Sequence, residues 1–200
     1  MGSNPSFFKA GAHAPRRPVE CVSWDMVRGG TWPSGSPTGT TFMGKLRTKT
    51  GLAFDLPTEA QWEYACRAGT TKALNNNTDL QSLEQDSNMD VLGRYWYNGG
   101  SSYSSDPVNG GTAEVGSYQA NNWGLYDMHG NVWEWCLDWY GSYNGDATDP
   151  NGPESGSGRV LRGGSWPGIA RYCRSANRSI SYPDDALNGL GFRLVLPTGQ

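Results

Sequence analysis

Apolar and polar positions along this chain follow two regimes. Up to Gly69 they recur with helical spacing in three places. In "LPTEAQWEYACRAG" Trp62, Ala65 and Cys66 form an apolar stripe, Thr58 stands at the N-cap with Gln61 three residues on as in a capping box, and Gly69 ends the run. A shorter helix is predicted after Ser23 in "VSWDMVRGG", and a third over Thr40 to Lys49. Beyond Gly69, short aromatic or branched runs alternate with clusters such as "NGG", "NGD" and "PNGPESGSG", which predicts short strands joined by long ordered loops. The alternation in "SISY" would turn half of its residues inward. Two polar segments, "ALNNNTDLQSLEQDSNMD" and "YNGGSSYSSDPVNGGTAE", need an organiser, because long structureless loops are uncommon in small domains. Metal ions and tryptophans are the expected organisers. No internal repeat is visible.

Composition sharpens this picture. Two hundred residues suffice for one domain with a real core, here residues 1–200. The chain has 28 Gly, 9 Trp and 10 Tyr against 18 % charged residues, as expected of a loop-rich domain pinned by large aromatics. A net charge of −3 without charged blocks offers no footprint for nucleic acid or an anionic membrane. No apolar run reaches the length of a membrane span, so direct membrane insertion is not expected, and "MGSNPSFFKAG" does not read as a secretory leader. "MGS" reads as an added tag remnant, which leaves a removed leader open. Cys21, Cys66, Cys136 and Cys173 are widely spaced with no C-x-x-C, so neither a zinc site nor a disulfide framework is signalled and most are expected to be buried small residues.

The densest cluster of candidate chemistry is "NNWGLYDMHGNVWEWCLDWYG". Asp127 and Glu134 are hard oxygen ligands, and Gly130 and Asn131 permit a turn that aims carbonyls inward, as Ca²⁺ requires. The alternative is that Asp127 caps a turn, Glu134 pairs with an arginine, and Trp123, Trp133, Trp135 and Trp139 are core. A hydrolase pair of Glu134 and Asp138 is also available, although nothing in the sequence fixes their separation. His13 and His129 are far apart and lack a partnered serine or ligand spacing, so histidine catalysis is poorly supplied and His129 reads as a turn residue. Cys173 lies among Arg171, Arg174 and Arg178, an arrangement that fits either an activated thiolate or a buried thiol beside outward-facing arginines.

The words "NPSFFKAG", "RPVECVSWDM", "LPTEAQWEYACRAGT", "NNWGLYDMHGNVWEWCLDWYG", "GRVLRGGSW", "CRSANR" and "GLGFRLV" resemble, in order and over nearly the whole chain, the formylglycine-generating enzyme (sulfatase-modifying factor) family. The resemblance implies an α+β, C-type-lectin-like fold with little regular structure. It also implies a calcium site built from the Asp127 and Glu134 side chains with the Gly130 and Val132 carbonyls. A second family calcium site would lie near Asn98, in a loop too divergent to assign ligands. The strand that usually precedes "NPS" is missing, so the module reads as minimal. Family enzymes place two copper-binding cysteines between the GGS and CRSANR-like motifs. Here that interval is "WPGIARY", which has none, so neither copper nor catalysis is expected and Cys173 is expected in a buried strand.

The tail, residues 159–195, also resembles the variable region of proteins diversified by retroelements, with "LRGGSW…CRSANR…PD…GFR" as its fixed words. Adenine-specific mutagenesis of AAC codons never yields Trp, Lys, Glu, Met or Gln. Pro167, Gly168, Ile169, Tyr172, Ser179, Ile180, Ser181, Tyr182, Asp185, Ala186, Leu187, Asn188 and Gly189 all lie within the permitted set. The implied function is a non-enzymatic, monomeric binding module, displayed on a cell or virion surface, whose variable side chains recognise a protein or cell-surface ligand. Trp166, Phe192 and Arg193 would frame that site. A formylglycine-generating oxidase and a calcium-dependent lectin are the alternatives, the latter without the EPN or QPD tripeptide of sugar-binding lectins.

Overall fold

The computed structural model describes residues 3–12, 14–99 and 110–196. His13 and most of the second polar segment lie outside the described residues. Four helices, α1 (Trp24–Val27), α2 (Phe42–Thr50), α3 (Glu59–Arg67) and α4 (Ser87–Asp90), precede four strands, β1 (Trp133–Trp139), β2 (Arg159–Arg162), β3 (Ser179–Ser181) and β4 (Leu190–Gly191). The expected α+β class is met.

The three predicted helices form where local capping dictates. Ser23 Oγ accepts the Met26 amide, Thr41 the Gly44 amide, and Thr58 the Gln61 amide while the Gln61 side chain accepts the Thr58 amide in return. The stop of α3 begins one residue before the predicted glycine, because Ala68 already turns left-handed at φ 46° ahead of Gly69 at 87°.

The sheet runs β3-β2-β1-β4, with β1 antiparallel to β2, β2 antiparallel to β3 and β4 parallel to β1. Successive side chains of β1 feed two cores on opposite faces of the sheet. Trp135 and Leu137 pack with Trp24, Met43, Leu56 and Leu190, while Cys136 packs with Trp62, Cys66, Met128 and Val160. The buried indoles also tie the chain together: Trp24 Nε1 donates to the Cys136 carbonyl at 3.0 Å and Trp135 Nε1 to the Val22 carbonyl at 2.9 Å. Trp123, by contrast, is 48 % exposed and stacks edgewise on Tyr64, so it is not core.

In the first long polar segment a carboxylate, not a tryptophan, does the organising. Asp86 accepts the amides of Gln81 and Ser82 through Oδ2 and those of Asn88 and Met89 through Oδ1, capping α4, a helix the sequence pattern did not announce. Cys173 is buried, as expected, but it sits in a 3-10 turn, Ala170–Cys173, instead of a strand. The Ala170 and Arg171 amides donate to the Glu84 and Leu83 carbonyls, which holds this segment on the polar loop and away from a sheet ladder.

Candidate functional site

The tail folds into three displayed segments on a fixed frame. The first, residues 167–172, follows the paired left-handed glycines Gly163 (φ 97°) and Gly164 (φ 82°). An added Cβ at Gly164 would meet Cys173 Sγ at 2.6 Å, so this turn packs directly on the 3-10 turn below it. The second, β3, is the sheet's edge, and its pattern is the reverse of the ordinary one: Ile180 and Tyr182 face outward at 47 % and 63 % exposure. The third, residues 185–189, is tied to the second, since Asp185 Oδ2 accepts both the Ser181 hydroxyl and the Tyr182 amide. It abuts the first, where an added Cβ at Gly189 would lie 3.9 Å from Pro167.

Of the predicted variable positions, Pro167, Tyr172, Ile180, Tyr182, Ala186 and Leu187 are exposed, and Gly168, Ile169, Ser179, Ser181, Asp185 and Asn188 are half-buried. Gly189 is the correction. It is buried, its carbonyl accepts the Trp133 amide, and a Cβ there would meet Ser165 Oγ at 2.6 Å, so the site is framework and cannot carry a displayed side chain. Trp166 is fully buried with its indole N–H on the Asn188 carbonyl, and Phe192 packs edgewise on Phe42.

Beneath β3 lies an ion cluster that spans 119 residues of sequence. Glu59, at the start of α3, takes a bidentate pair from Arg178 at 2.6 and 2.7 Å and a contact from the fully buried Arg162 at 3.3 Å. Tyr140 and Tyr143 hold the Arg178 guanidinium by cation–π contacts at 4.5 and 4.2 Å. The sequence showed only a helix-start glutamate and a basic tail motif. Neither signal discloses the pairing.

Glu134 and Asp138 share β1 but not a task. Asp138 accepts the Glu59 amide and so caps α3, while Glu134 receives Arg193 through both carboxylate oxygens and the Trp62 indole N–H at 2.6 Å. The hydrolase pairing is therefore not assembled. Asp127, left-handed at φ 56°, uses Oδ2 to accept the Gly116 amide, whereas its Oδ1 is buried with no hydrogen-bond partner. Burial pushes the Asp127 carboxyl up, and nearby Glu134 adds to the shift. Burial would lower Arg193, but Glu134 and Asp127 outweigh it and hold the guanidinium charged. Gly130 and Asn131 complete the turn at φ 87° and 70°. Asp127 Oδ1 is left for a hard cation, whereas Glu134 could join it only by yielding an oxygen now held by Arg193 and Trp62, and the Asn131 carbonyl of the turn is taken by the Trp166 amide. Among the described residues no cluster of three or more His, Cys, Asp or Glu side chains offers a metal site. Asn98 is spent on structure, accepting the Tyr95 amide and donating to the Gly93 carbonyl.

No described cysteine is an activated thiol. Burial pushes Cys173 and Cys66 up to about 12. His129 is completely buried, with Nδ1 on the Cys173 carbonyl and Nε2 accepting the Asn75 amide, and burial lowers it to about 4. It is a neutral structural residue.

Residues 1–197 match the profile of the sulfatase-modifying factor enzyme 1-like domain. The chain belongs to that family. It is 35 % identical over 202 residues to the formylglycine-generating enzyme of Mus musculus, covering 94 % of this chain and 47 % of that protein. It is 39 % identical over 149 residues to the enzyme of the same name from Streptomyces coelicolor, covering 69 % and 45 %. The chain thus spans about half the length of these curated relatives. Among solved structures it superposes on Treponema denticola variable protein 1 with a TM-score of 0.77 at 32 % identity, covering 97 % of this chain and 77 % of that one. PvdO from Pseudomonas aeruginosa follows with a TM-score of 0.67 at 28 % identity, covering 90 % and 61 %. The family domain therefore has the C-type-lectin-like α+β fold expected from its motifs, in the form also seen in a variable protein.

Proposed function

We propose that this family member is a non-enzymatic recognition module that presents diversified side chains on a rigid scaffold to a protein or cell-surface ligand. One observation carries the reading: Tyr172, Ile180, Tyr182 and Leu187, all at positions permitted by adenine mutagenesis, stand 37–63 % exposed on segments anchored by buried framework. Loops and edges held by a fixed scaffold are where recognition is placed, and tyrosines supply rigid amphipathic contact area. The module works as a monomer in surface display, without nucleic acid, membrane insertion or copper. Calcium at Asp127 and Glu134 contributes to stability alone. Calcium should raise the melting temperature, EDTA should lower it, and Asp127→Ala should abolish the difference.

The test of recognition is a library in which the exposed positions are randomised and selected against a fixed panel of purified cell-surface proteins. Binders that fold like the parent, with melting temperatures within a few degrees, support the reading. Loss of folding across the library would sink it.

The formylglycine-generating relatives at 35 % identity favour a second reading, an oxidase acting on sulfatase cysteines. Copper loading followed by mass spectrometry of a sulfatase-type cysteine peptide decides between them. Conversion to the aldehyde would establish the enzyme. An unchanged peptide, with Cys173 unlabelled by thiol reagents until unfolding, is the expected outcome.

A further inference from the structure

Arg159, the first residue of β2, stands apart from the other arginines of the sheet and its supporting helices. Arg28 pairs with Asp55, Arg162 and Arg178 with Glu59, and Arg193 with Glu134. Arg159 is 2 % exposed, yet it makes no ion pair with a described carboxylate. Its Nη1 donates to the Leu137 carbonyl at 2.7 Å, and its Nε is buried without an acceptor. The guanidinium lies between two indoles, 3.4 Å from the Trp139 ring centroid and 3.9 Å from that of Trp24. Two indole faces and one carbonyl return less than a desolvated cation loses, and Asp25 and Asp138 act on it without a direct ion pair, so the position can take an anion. Burial, with Arg28 nearby, lowers Arg159 to about 10, although Asp25 and Asp138 are close enough to raise it in part.

Arg159 also reaches the wall of a cavity of about 470 Å³, bordered by Trp32, Trp139, Ser34, Ser155 and the exposed Glu154. None of the predicted variable residues lines it. The cavity's loop is held in place: Arg28 donates to the carbonyls of Gly29, Thr31 and Gly35, and Trp32 Nε1 to the Asn151 carbonyl. We propose that this cavity is a second ligand site, separate from the displayed tail, that takes an aromatic or branched carboxylic acid, with the carboxylate on Arg159 and the apolar body between Trp32 and Trp139. A guanidinium edge matches a carboxylate in geometry and charge, and the indole walls favour a flat apolar body over a bare oxoanion. Glu154 sets selectivity by repelling ligands that carry a second negative charge. The same chemistry is offered by a free acid and by the carboxyl terminus of a peptide ending in an aromatic residue.

Calorimetric titration of the full chain at neutral pH with four probes tests this: benzoate, benzamide, acetyl-glycyl-phenylalanine and its terminal amide. Both acids should bind at least tenfold more tightly than their amides, and the tighter acid identifies the source. Arg159→Gln should remove binding. Since that variant removes a buried side chain, Ser155→Trp, an exposed change that fills the cavity mouth, should also remove binding at an unchanged melting temperature. Glu154→Gln should tighten both acids several-fold. Equal binding of acids and amides, inorganic phosphate binding as tightly as benzoate, or benzoate binding that survives Ser155→Trp would each overturn the site. So would a fall in melting temperature with Glu154→Gln, which would make Glu154 the internal partner of Arg159.

Discussion

β1 and β3 belong to one sheet, separated only by β2, and they treat apolar residues in opposite ways. In β1 the five inner residues are buried on both faces, with Trp135 and Leu137 in one core and Cys136 in the other. In β3 the large side chain, Ile180, points to solvent, followed by Tyr182, while Ser179 and Ser181 take the inner face. The difference is one of neighbours. β1 has a strand on each side and packed layers above and below, whereas β3 is an edge held from beneath by polar contacts, with Arg178 paired to Glu59 and Ser181 to Asp185. An edge secured by side-chain ion pairs and hydrogen bonds does not need its own apolar residues for the core. Those residues are released for contact with something else.

The strongest way to break this contrast is to remove the side chain that anchors each strand. Trp135→Ala should cost about 3–5 kcal/mol in denaturant unfolding, because it empties a fully buried indole site. Glu59→Ala, which withdraws the anchor beneath β3, should cost less, about 3 kcal/mol, since Arg178 loses its bidentate carboxylate while Arg162 keeps its pair with Glu63. If Glu59→Ala proved nearly neutral, the edge would be held by something other than these ion pairs.

Asp138 sharpens the comparison through pH. Burial raises it to about 6; the Glu59 amide lowers it and the Glu59 carboxylate raises it again. Between the ordinary value of 3.8 and about 6 the folded chain keeps a proton that the unfolded chain has released, so Asp138 stabilises below that range and the contribution is lost as pH rises through about 6. Asp138→Asn, which can still accept the Glu59 amide, should therefore gain stability relative to the parent between pH 4 and pH 7, by up to about 3 kcal/mol. His129 works in the other direction, since its lowered value makes stability grow as pH rises, but it is common to both proteins and drops out of the difference. A difference that does not change with pH would show that Asp138 titrates normally.

The smallest effects belong to the displayed side chains. Ile180→Ala and Tyr182→Ala should each change stability by no more than about 0.5 kcal/mol in the same unfolding assay, as surface substitutions do. Losses of several kcal/mol at both would place β3 in the core and remove the distinction between the two strands.

Parts of this molecule were legible because their causes are local. The caps at Ser23, Thr41 and Thr58 lie within three residues of the amides they satisfy, so the helices could be read directly. The family motifs carried the fold class and pointed to the displayed tail, and exposure at Tyr172, Tyr182 and Leu187 agrees with that reading. Less legible were the features made by residues distant in sequence. The turn around Cys173 is set by carbonyls of Leu83 and Glu84, and the exclusion of a side chain at Gly189 is set by Ser165. Nor does a carboxylate declare its partners: Asp86 collects four amides and Glu134 collects Arg193 and Trp62 only once the chain has folded.

By itself, then, the sequence determined what short-range hydrogen bonding and apolar spacing can specify: three capped helices, a strand- and loop-rich second half, and a tail whose residues differ in kind from the frame around them. Tertiary structure alone decided which apolar residues are core and which are displayed, because burial depends on what lies across the sheet. It also decided which buried charges are satisfied. Arg159 and Arg162 are three residues apart on one strand, but Glu59 reaches Arg162 and no described carboxylate pairs with Arg159. Coulomb attraction and desolvation act through space over a few ångströms, and those distances are fixed only when segments a hundred residues apart are brought together.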